Sequence, residues 1–157
     1  DFSCQSLWKD GTLVLTKTCE RLSYFGGGAN PSGISSVSHL AKTVFEPRAV
    51  ETCARAIRAI DRKASGTFNF DLRENRAGVP CVTEINAGRF PSGMNIYDLT
   101  GKHNLTALYV RVALGEPVEL REEYEPAEGY YTVRDLDTPT GVFHADDLFD
   151  RIEDARG

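Results

Sequence analysis

The chain has 157 residues, of which 41% are hydrophobic and 26% are charged, a composition typical of one globular domain with an ordinary core. Its formal net charge of −5 at pH 7 argues against a nucleic-acid-binding surface. No apolar run approaches the roughly 18 residues that span a bilayer, and no signal peptide is visible. We therefore expect neither nucleic acid nor a membrane as a partner.

The first predicted elements are two strands joined by a tight turn. Residues 2–8 and 12–21 have strand patterns, and the Lys-Asp-Gly sequence at 9–11 is typical of a hairpin turn. Because the chain starts without Met and directly in a strand pattern, we interpret it as a fragment that begins within a domain. Residues 24–36 are rich in Gly, Ser, Asn and Pro, which predicts a loop.

A strand and a helix are predicted next. Residues 34–45 indicate an irregular strand, and Pro47 is well placed as the first residue of a helix over 47–62. The helix prediction depends on apolar residues at helical spacing, which are Val50, Cys53, Ala54, Ile57 and Ile60. Gly66 ends this segment.

The most informative segment is a second predicted hairpin, GTFNFDLRENRAGVPCVTEINAGRF at residues 66–90. Residues 67–73 alternate between polar and apolar side chains, which is the pattern of a half-buried strand. Residues 81–86 form the returning strand, and the stretch between the strands contains Asn and Gly, which favour turns.

A four-residue loop at 76–79 would set the register of this hairpin. The opposed pairs would then be Arg73 with Val82, Asp71 with Glu84, and Asn69 with Asn86. Opposed Cβ atoms are about 4.5–5.5 Å apart, so the two like charges repel unless a cation lies between them. Carboxylate and amide oxygens are hard ligands, which suit Mg²⁺ or Mn²⁺ better than Zn²⁺. The open alternative is a solvated polar face in which Arg73 or Arg76 neutralises the pair.

The rest of the chain predicts helices and an acidic tail. Helical potential at Asn95–Leu99 is followed by a clear helix from about Asn104 to Leu114. We divide the chain into a domain over 1–118 and an appended segment over 119–157, which consists of an acidic linker, a strand and a short helix. Strands and helices in mixed order, with adjacent hairpins, predict an α+β fold with a mainly antiparallel sheet and packed helices.

The cysteines and histidines give no sign of a zinc site. The cysteines are widely spaced without a CxxC pair, which favours reduced, mostly buried thiols of a cytoplasmic protein. The histidines are isolated from one another and from the cysteines, which favours surface or packing roles. The residues concerned are Cys4, Cys19, Cys53 and Cys81, and His39, His103 and His144.

The hairpin resembles the C-terminal half of an ATP-grasp domain. The resemblance rests on Asn69-Phe70-Asp71, the thirteen-residue step to Glu84, and Glu84-Ile85-Asn86, which give acid, acid and amide in the order of that family. A hairpin with an Asp-Gly turn, a Gly-rich loop and a helix precede it. A helix that ends in ALGE, within the segment ALYVRVALGEP, follows it. The segments GTFNFDL, EIN and ALGEPV are most similar to the carbamoyl-phosphate-synthase-like branch, and the resemblance covers about residues 2–118.

The resemblance implies four residues that bind the cofactors. Glu84 would bridge two Mg²⁺ ions on the ATP phosphates, Asp71 would bind one of these ions, and Asn86 would bind the other. Asn69, on the same face, would contact a phosphate or support the ligands. The open alternative for Asn69 is a strand amide that satisfies its neighbours.

The resemblance also points to residues outside the two strands. Arg89 would be the catalytic cation for the transferring phosphoryl group, with a surface arginine as the alternative, because the carbamoyl phosphate synthases have arginine at the position of Gly88. Ser92 and Gly93 lie where relatives contact the acceptor substrate. The Gly26–Gly28 run matches no complete phosphate-binding fingerprint, so it either approaches the nucleotide or is a flexible connection.

The chemistry implied for the parent protein is ATP-dependent ligation with Mg²⁺ or Mn²⁺ as cofactor. A carboxylate substrate would be phosphorylated, and an amine substrate would attack the acyl phosphate. The missing N-terminal part of the same chain would complete the site, so we expect this fragment alone to be inactive; the oligomeric state is left open. The alternatives are a non-catalytic ATP-grasp-like scaffold or interaction module and a hydrolase that uses the acid pair, although nothing else resembles a sugar cleft.

Overall fold

The computed structural model describes residues 1–26, 29, 31, 37–121, 123–125, 127–135 and 139–147. Within these residues one sheet contains the strands β1 (Phe2–Lys9), β2 (Thr12–Tyr24), β3 (Ser38–Thr43), β4 (Gly66–Glu74), β5 (Pro80–Ala87), β6 (Glu123–Glu125), β7 (Tyr130–Val133) and β8 (Gly141–His144). The helices of the same residues are α1 (Pro47–Ile60), α2 (Met94–Thr100) and α3 (Leu105–Ala113). In the part of the chain that the structure describes, no helix has the length and hydropathy needed to cross a membrane.

The sheet is mainly antiparallel. Its strand order is β5-β4-β1-β2-β3-β7-β8, and each neighbouring pair in this order is antiparallel. The short strand β6 pairs with β2 in parallel. This architecture confirms the α+β fold predicted from the sequence.

The first hairpin forms because its turn residues adopt a left-handed backbone. Asp10 and Gly11 have φ angles of 49° and 79°, and both positions of a type I′ turn require positive φ. A Cβ at Gly11 would overlap the carbonyl group of Arg62, and the Gly11 N–H donates to the Ala64 carbonyl at 2.9 Å. The turn therefore also ties β1 and β2 to the segment that follows α1.

One face of the sheet packs against α1. Pro47 is the first residue of this helix, as predicted, and the side chain of Glu46 caps it by accepting a hydrogen bond from the Arg48 N–H. Ile60, which the sequence pattern includes in the apolar face, is 73% exposed because the helix ends there. The principal buried residues on this side are Phe2, Cys4, Trp8, Leu13, Val50, Cys53, Ala54, Ile57, Phe70 and Leu72.

The opposite face of the sheet packs against α2 and α3. The residue ranges of these helices are close to the predicted ones. Asn104 caps α3, since its side-chain oxygen accepts a hydrogen bond from the Ala107 N–H at 2.7 Å. The buried contacts of α3 are Leu105 and Leu108 with Leu7, Val14 and Leu15, and those of α2 are Ile96 and Tyr97 with Cys19 and Ala41. The two short helices thus cover the face that carries the polar row of the second hairpin.

The segment after residue 118 contributes strands to the same sheet. Residues interpreted as a linker form β6, the predicted strand forms β7, and β8 pairs with β7. The predicted terminal helix begins at 145–147, and its remainder lies outside the described residues. The domain boundary near 118 stays a prediction.

Candidate functional site

The second hairpin has the register that brings its two acids together. Asp71 pairs directly with Glu84, and Asn69 pairs directly with Asn86. Directly opposed residues of an antiparallel pair point to the same side of the sheet. The two carboxylates and the two amides therefore share one face, as the sequence pattern predicts.

The predicted pairing of Asp71 with Glu84 is correct, but the predicted loop of this hairpin is one residue too short. The structure pairs Arg73 with Cys81, not with Val82, and the loop over 75–79 contains five residues. Thr83 is the extra residue of a bulge, and its hydroxyl donates to the Asp71 carbonyl at 2.9 Å. The longer loop and the bulge compensate for each other, so the pairing beyond the bulge equals the predicted one.

All five residues predicted for the site line one open cleft at the β4–β5 edge of the sheet. The cleft is lined by Arg21, Val37, Asn69, Asp71, Glu84, Asn86, Arg89, Phe90, Pro91 and Ser92. Glu84 and Arg89 are exposed, Asp71 and Asn86 are half-buried, and Asn69 is buried. The cleft thus offers several oxygen atoms to a ligand that enters from solvent.

Arg21 is a cleft residue that the sequence analysis missed. Its guanidinium forms an ion pair with Asp71, at the place where Arg73 or Arg76 was the alternative, whereas Arg73 pairs with Asp1 at 3.0 Å. Burial alone lowers the pKa of Arg21, but the Asp71 carboxylate outweighs this effect and the net pKa is raised. Asp71 therefore lies beside a permanent positive charge.

The pairing of β1 with both β2 and β4 explains the position of Arg21. Ser3 of β1 pairs with Asp71 on one side and with Cys19 on the other. Since side chains alternate along a strand, Arg21 lies on the same face of the sheet as Cys19, two residues closer to the C-terminal end of β2. Each hairpin was predictable from local patterns, but the pairing of β1 with β4 was not, so no local signal in the sequence places Arg21 beside Asp71.

The backbone at Gly88 directs Arg89 into the cleft. Gly88 has a φ of 69°, a left-handed conformation that glycine adopts without strain, and its N–H donates to the Thr67 carbonyl at 2.8 Å. The next residue, Arg89, donates from Nη1 to the Asn86 side-chain oxygen at 3.3 Å. The arginine thereby lies beside the predicted metal ligands even though it is one position later than in the family pattern.

Residues of β1 hold this side of the cleft in place. The Ser3 hydroxyl donates to the Asn69 side-chain oxygen at 3.1 Å, which fixes the orientation of that amide. Gln5, which is fully buried, donates from Nε2 to the Arg89 carbonyl at 3.4 Å. The strand interior therefore supports both Asn69 and the loop that carries Arg89.

A smaller pocket adjoins the cleft at residues 91–93. It is lined by Ser92 and Gly93, and it shares Arg21 with the cleft. Arg134, which follows β7, contacts Ser92 through two hydrogen bonds, to the hydroxyl at 3.3 Å and to the carbonyl at 2.6 Å. Ser92 thus lines the cleft together with the acids, and Gly93 lines only the adjoining pocket. Gly27 and Gly28 of the glycine run lie outside the described residues.

The chemical groups of the cleft fit a divalent cation together with an anion. Asp71 and Glu84 supply carboxylates, and Asn86 supplies an amide oxygen, all suited to Mg²⁺ or Mn²⁺. Arg21 and Arg89 supply guanidinium groups, which match phosphate oxygens. A magnesium nucleotide presents both kinds of charge at once.

Comparisons with known proteins identify the fold. No protein-family model matches this chain, and no curated protein matches it. Its structure is similar to that of an L-amino acid ligase from Bacillus licheniformis, with a TM-score of 0.60 and 17% sequence identity. The similarity covers 83% of this chain and 32% of the ligase chain, so the chain spans about a third of that ligase. The similarity supports an ATP-grasp fold and does not select a branch of that family.

Proposed function

We propose that this chain is the metal- and ATP-binding half of an ATP-dependent carboxylate ligase. The observation that carries the proposal is the direct pairing of Asp71 with Glu84 inside a cleft that also contains Asn69, Asn86 and Arg89. Two like charges held face to face are unfavourable without a cation. The similarity of the fold to that of a ligase supports the same proposal. The assignment to the carbamoyl-phosphate-synthase-like branch stays a prediction from the sequence.

The residues fit a magnesium site in which each oxygen ligand has one task. Glu84, which is exposed, would bridge two ions, while Asp71 and Asn86 would each bind one. Because Arg21 contacts Oδ1 of Asp71, the other oxygen of this carboxylate would bind the metal. When bound, Mg²⁺ neutralises charge on the transferring phosphoryl group.

The arginines of the cleft would act on the substrate side. Arg89 lies beside Asn86 and would stabilise the negative oxygens of the phosphoryl group and of the acyl phosphate. Arg21, held by Asp71, would contribute a second fixed positive charge to the same region. Ser92 and Gly93, which line the adjoining pocket, would contact the acceptor carboxylate or the amine.

The remaining nucleotide contacts would come from the N-terminal part of the parent protein. We expect that part to supply the adenine pocket and lysines that reach the phosphates. The proposal therefore assigns catalysis to the full-length protein and not to these 157 residues alone. We also propose that this protein is located in the cytoplasm. The share of the ligase that the chain spans, 32%, agrees with this division.

The test is ATP-dependent phosphate release by the full-length protein. We expect Glu84→Gln to lower turnover at least a hundredfold, since the neutral amide loses the charge that holds both ions. Glu74→Gln is the matched control, because Glu74 is an acid of the same hairpin that contacts Arg48 outside the cleft. Equal turnover in the Glu84→Gln variant and the native protein would refute the proposed role.

A non-catalytic ATP-grasp-like scaffold is the second candidate. The ion pair between Arg21 and Asp71 favours it, because this pair neutralises one of the two acids without any metal. Titration of the full-length protein with Mg²⁺ and a non-hydrolysable nucleotide separates the candidates. Nucleotide binding that requires Mg²⁺ and is weakened by Glu84→Gln supports the ligase, whereas absence of binding supports the scaffold.

A further inference from the structure

A second group of polar side chains lies where β6 meets the connection between α2 and α3. His103 belongs to that connection, and it is 22 residues from Glu125 in the sequence. Glu123 and Glu125 are two apart on β6, so their side chains point to the same side of the strand. One ring nitrogen of His103 and one oxygen of each carboxylate all lie within 4.8 Å of one another. We call these three residues the His103 cluster.

Among the described residues, one carboxylate oxygen of Glu125 has a hydrogen bond and the other has none. Its side chain is only 5% exposed. Oε2 lies 3.5 Å from Lys17 Nζ and accepts a hydrogen bond from the His103 N–H at 3.3 Å. Oε1 is buried without a hydrogen-bond partner among the described residues, and His103 Nε2 lies 3.6 Å from it. Burying a charged oxygen without a partner costs free energy, so this atom points to a missing ligand.

The local charge favours a divalent cation. Lys17 is fully buried and lies 3.5 Å from both Asp98 and Glu125. The ammonium group of Lys17 contacts Asp98 and Glu125, while Glu123 adds a third carboxylate next to His103, so the carboxylates outnumber this ammonium group three to one. Lys17 contacts Oε2 of Glu125, so the ammonium group does not occupy the free oxygen.

We propose that the His103 cluster binds a divalent transition-metal ion, with Zn²⁺ as the preferred one. Ligand atoms about 2.1 Å from a tetrahedral zinc ion lie roughly 3.4 Å from one another. His103 Nε2 is 3.6 Å from Glu125 Oε1 and 3.9 Å from Glu123 Oε2, so small side-chain movements complete the three ligand positions. A water molecule would be the fourth ligand.

The imidazole distinguishes this site from the cleft of Asp71 and Glu84. Imidazole nitrogen favours Zn²⁺, whereas sites made only of oxygen favour Mg²⁺. The inference goes beyond the proposed function, and no residue of the His103 cluster is among the cleft residues. A bound ion would fasten β6 to the connection before α3, which predicts a structural role and a gain in stability.

The test is calorimetric titration of the metal-free 157-residue chain with Zn²⁺. The exposed thiol of Cys81 is a competing zinc ligand, so every protein in the series carries Cys81→Ser. We expect one zinc ion per chain, a higher melting temperature with the ion bound, and at least tenfold weaker binding in His103→Ala and in Glu123→Gln. Glu123 is 40% exposed, so its variant tests the ligand role with little risk to folding.

Two controls make the outcome decisive. His144→Ala removes the histidine at the end of β8, whose ring contacts Asp146 in the helical turn that follows, and it should leave zinc affinity unchanged. Glu74→Gln, at an acid that contacts Arg48 and is part of neither proposed metal site, should also leave it unchanged. Absence of zinc binding, or affinity that is the same with and without the His103 ring, would overturn the inference and leave the ligase proposal intact.

Discussion

The acids of the cleft and the acids around Lys17 differ in how their negative charge is compensated. In the cleft, Arg21 contacts Asp71, while Glu84 is exposed on the edge strand. We call Lys17, Asp98 and Glu125 the Lys17 cluster; its ammonium group is 0% exposed and contacts both acids. Solvent screens the exposed acid, whereas a buried carboxylate requires a permanent partner. The cleft can therefore retain a repelling pair for a ligand, while the Lys17 cluster contributes to the fold.

The largest expected effect is the loss of the buried cation. Lys17→Met keeps most of the side-chain volume but leaves Glu125 buried without its ammonium partner, so we expect a loss of about 3–5 kcal/mol in the free energy of unfolding. Lys42→Met is the matched control, because Lys42 pairs with Glu20 where both side chains are 33% exposed, and it should cost at most about 1 kcal/mol. Urea denaturation measures both, and equal losses in the two variants would contradict the contrast.

A smaller loss is expected from crowding the Lys17 cluster. A Cβ at Gly101 would overlap the Glu125 carboxylate and lie 2.8 Å from Lys17 Nζ, so Gly101→Ala should destabilise the fold by about 1–3 kcal/mol. The control is Gly93→Ala, where a Cβ meets nothing within 4 Å. Similar urea midpoints for the two variants would show that the Lys17 cluster accommodates the added methyl group without a loss of stability.

Tyr97 contacts the Lys17 cluster and Ser3, and it gives a test at alkaline pH. Its carbonyl accepts from Lys17, and its buried hydroxyl donates to the Ser3 carbonyl at 2.9 Å. Burial raises the pKa of Tyr97. The folded protein therefore keeps this proton longer than the unfolded chain, so the stability contribution is complete below the unfolded pKa of about 10 and is lost as pH rises above it.

We expect the free energy of unfolding to fall above about pH 10 by up to about 1.4 kcal/mol per pH unit from this group. Tyr97→Phe should lose that part of the pH dependence, and Tyr124→Phe, at an exposed position, should keep it. Urea denaturation across pH 9–11 measures the slopes. An unchanged slope in Tyr97→Phe would show that the Tyr97 hydroxyl does not cause this pH dependence of the free energy of unfolding.

The smallest expected effect on stability is at the cleft. Asp71→Asn removes the ion pair with Arg21 but also relieves the repulsion from Glu84, and the Asp71 side chain is 26% exposed. The two effects oppose each other, so we expect a change below about 1 kcal/mol in urea denaturation. A loss as large as that of Lys17→Met would mean that the cleft pair is part of the structural core.

Local sequence patterns were enough to predict the hairpin elements and the face on which the two acids lie. Alternation over 67–73 identifies the strand, and its apolar residues must face the core, which fixes the side on which Asp71 lies. The loop length was misjudged by one residue, and the bulge at Thr83 restored the pairing. Helix α1 was predictable for a similar reason, since Pro47 and a periodic apolar face are local signals.

What only the tertiary structure decided is which distant segments meet. Arg21 lies beside Asp71 because β1 pairs with both of their strands, β2 and β4. Lys17 lies beside Glu125 because the three-residue strand β6 pairs with β2. A strand that short carries no usable period, and the order of strands in a sheet depends on packing over the whole domain. The sequence by itself determined the hairpin and the face on which its two acids lie. The bulge that sets their direct pairing is not visible in the local pattern. The counter-charges and the His103 cluster depend on contacts between segments far apart along the chain.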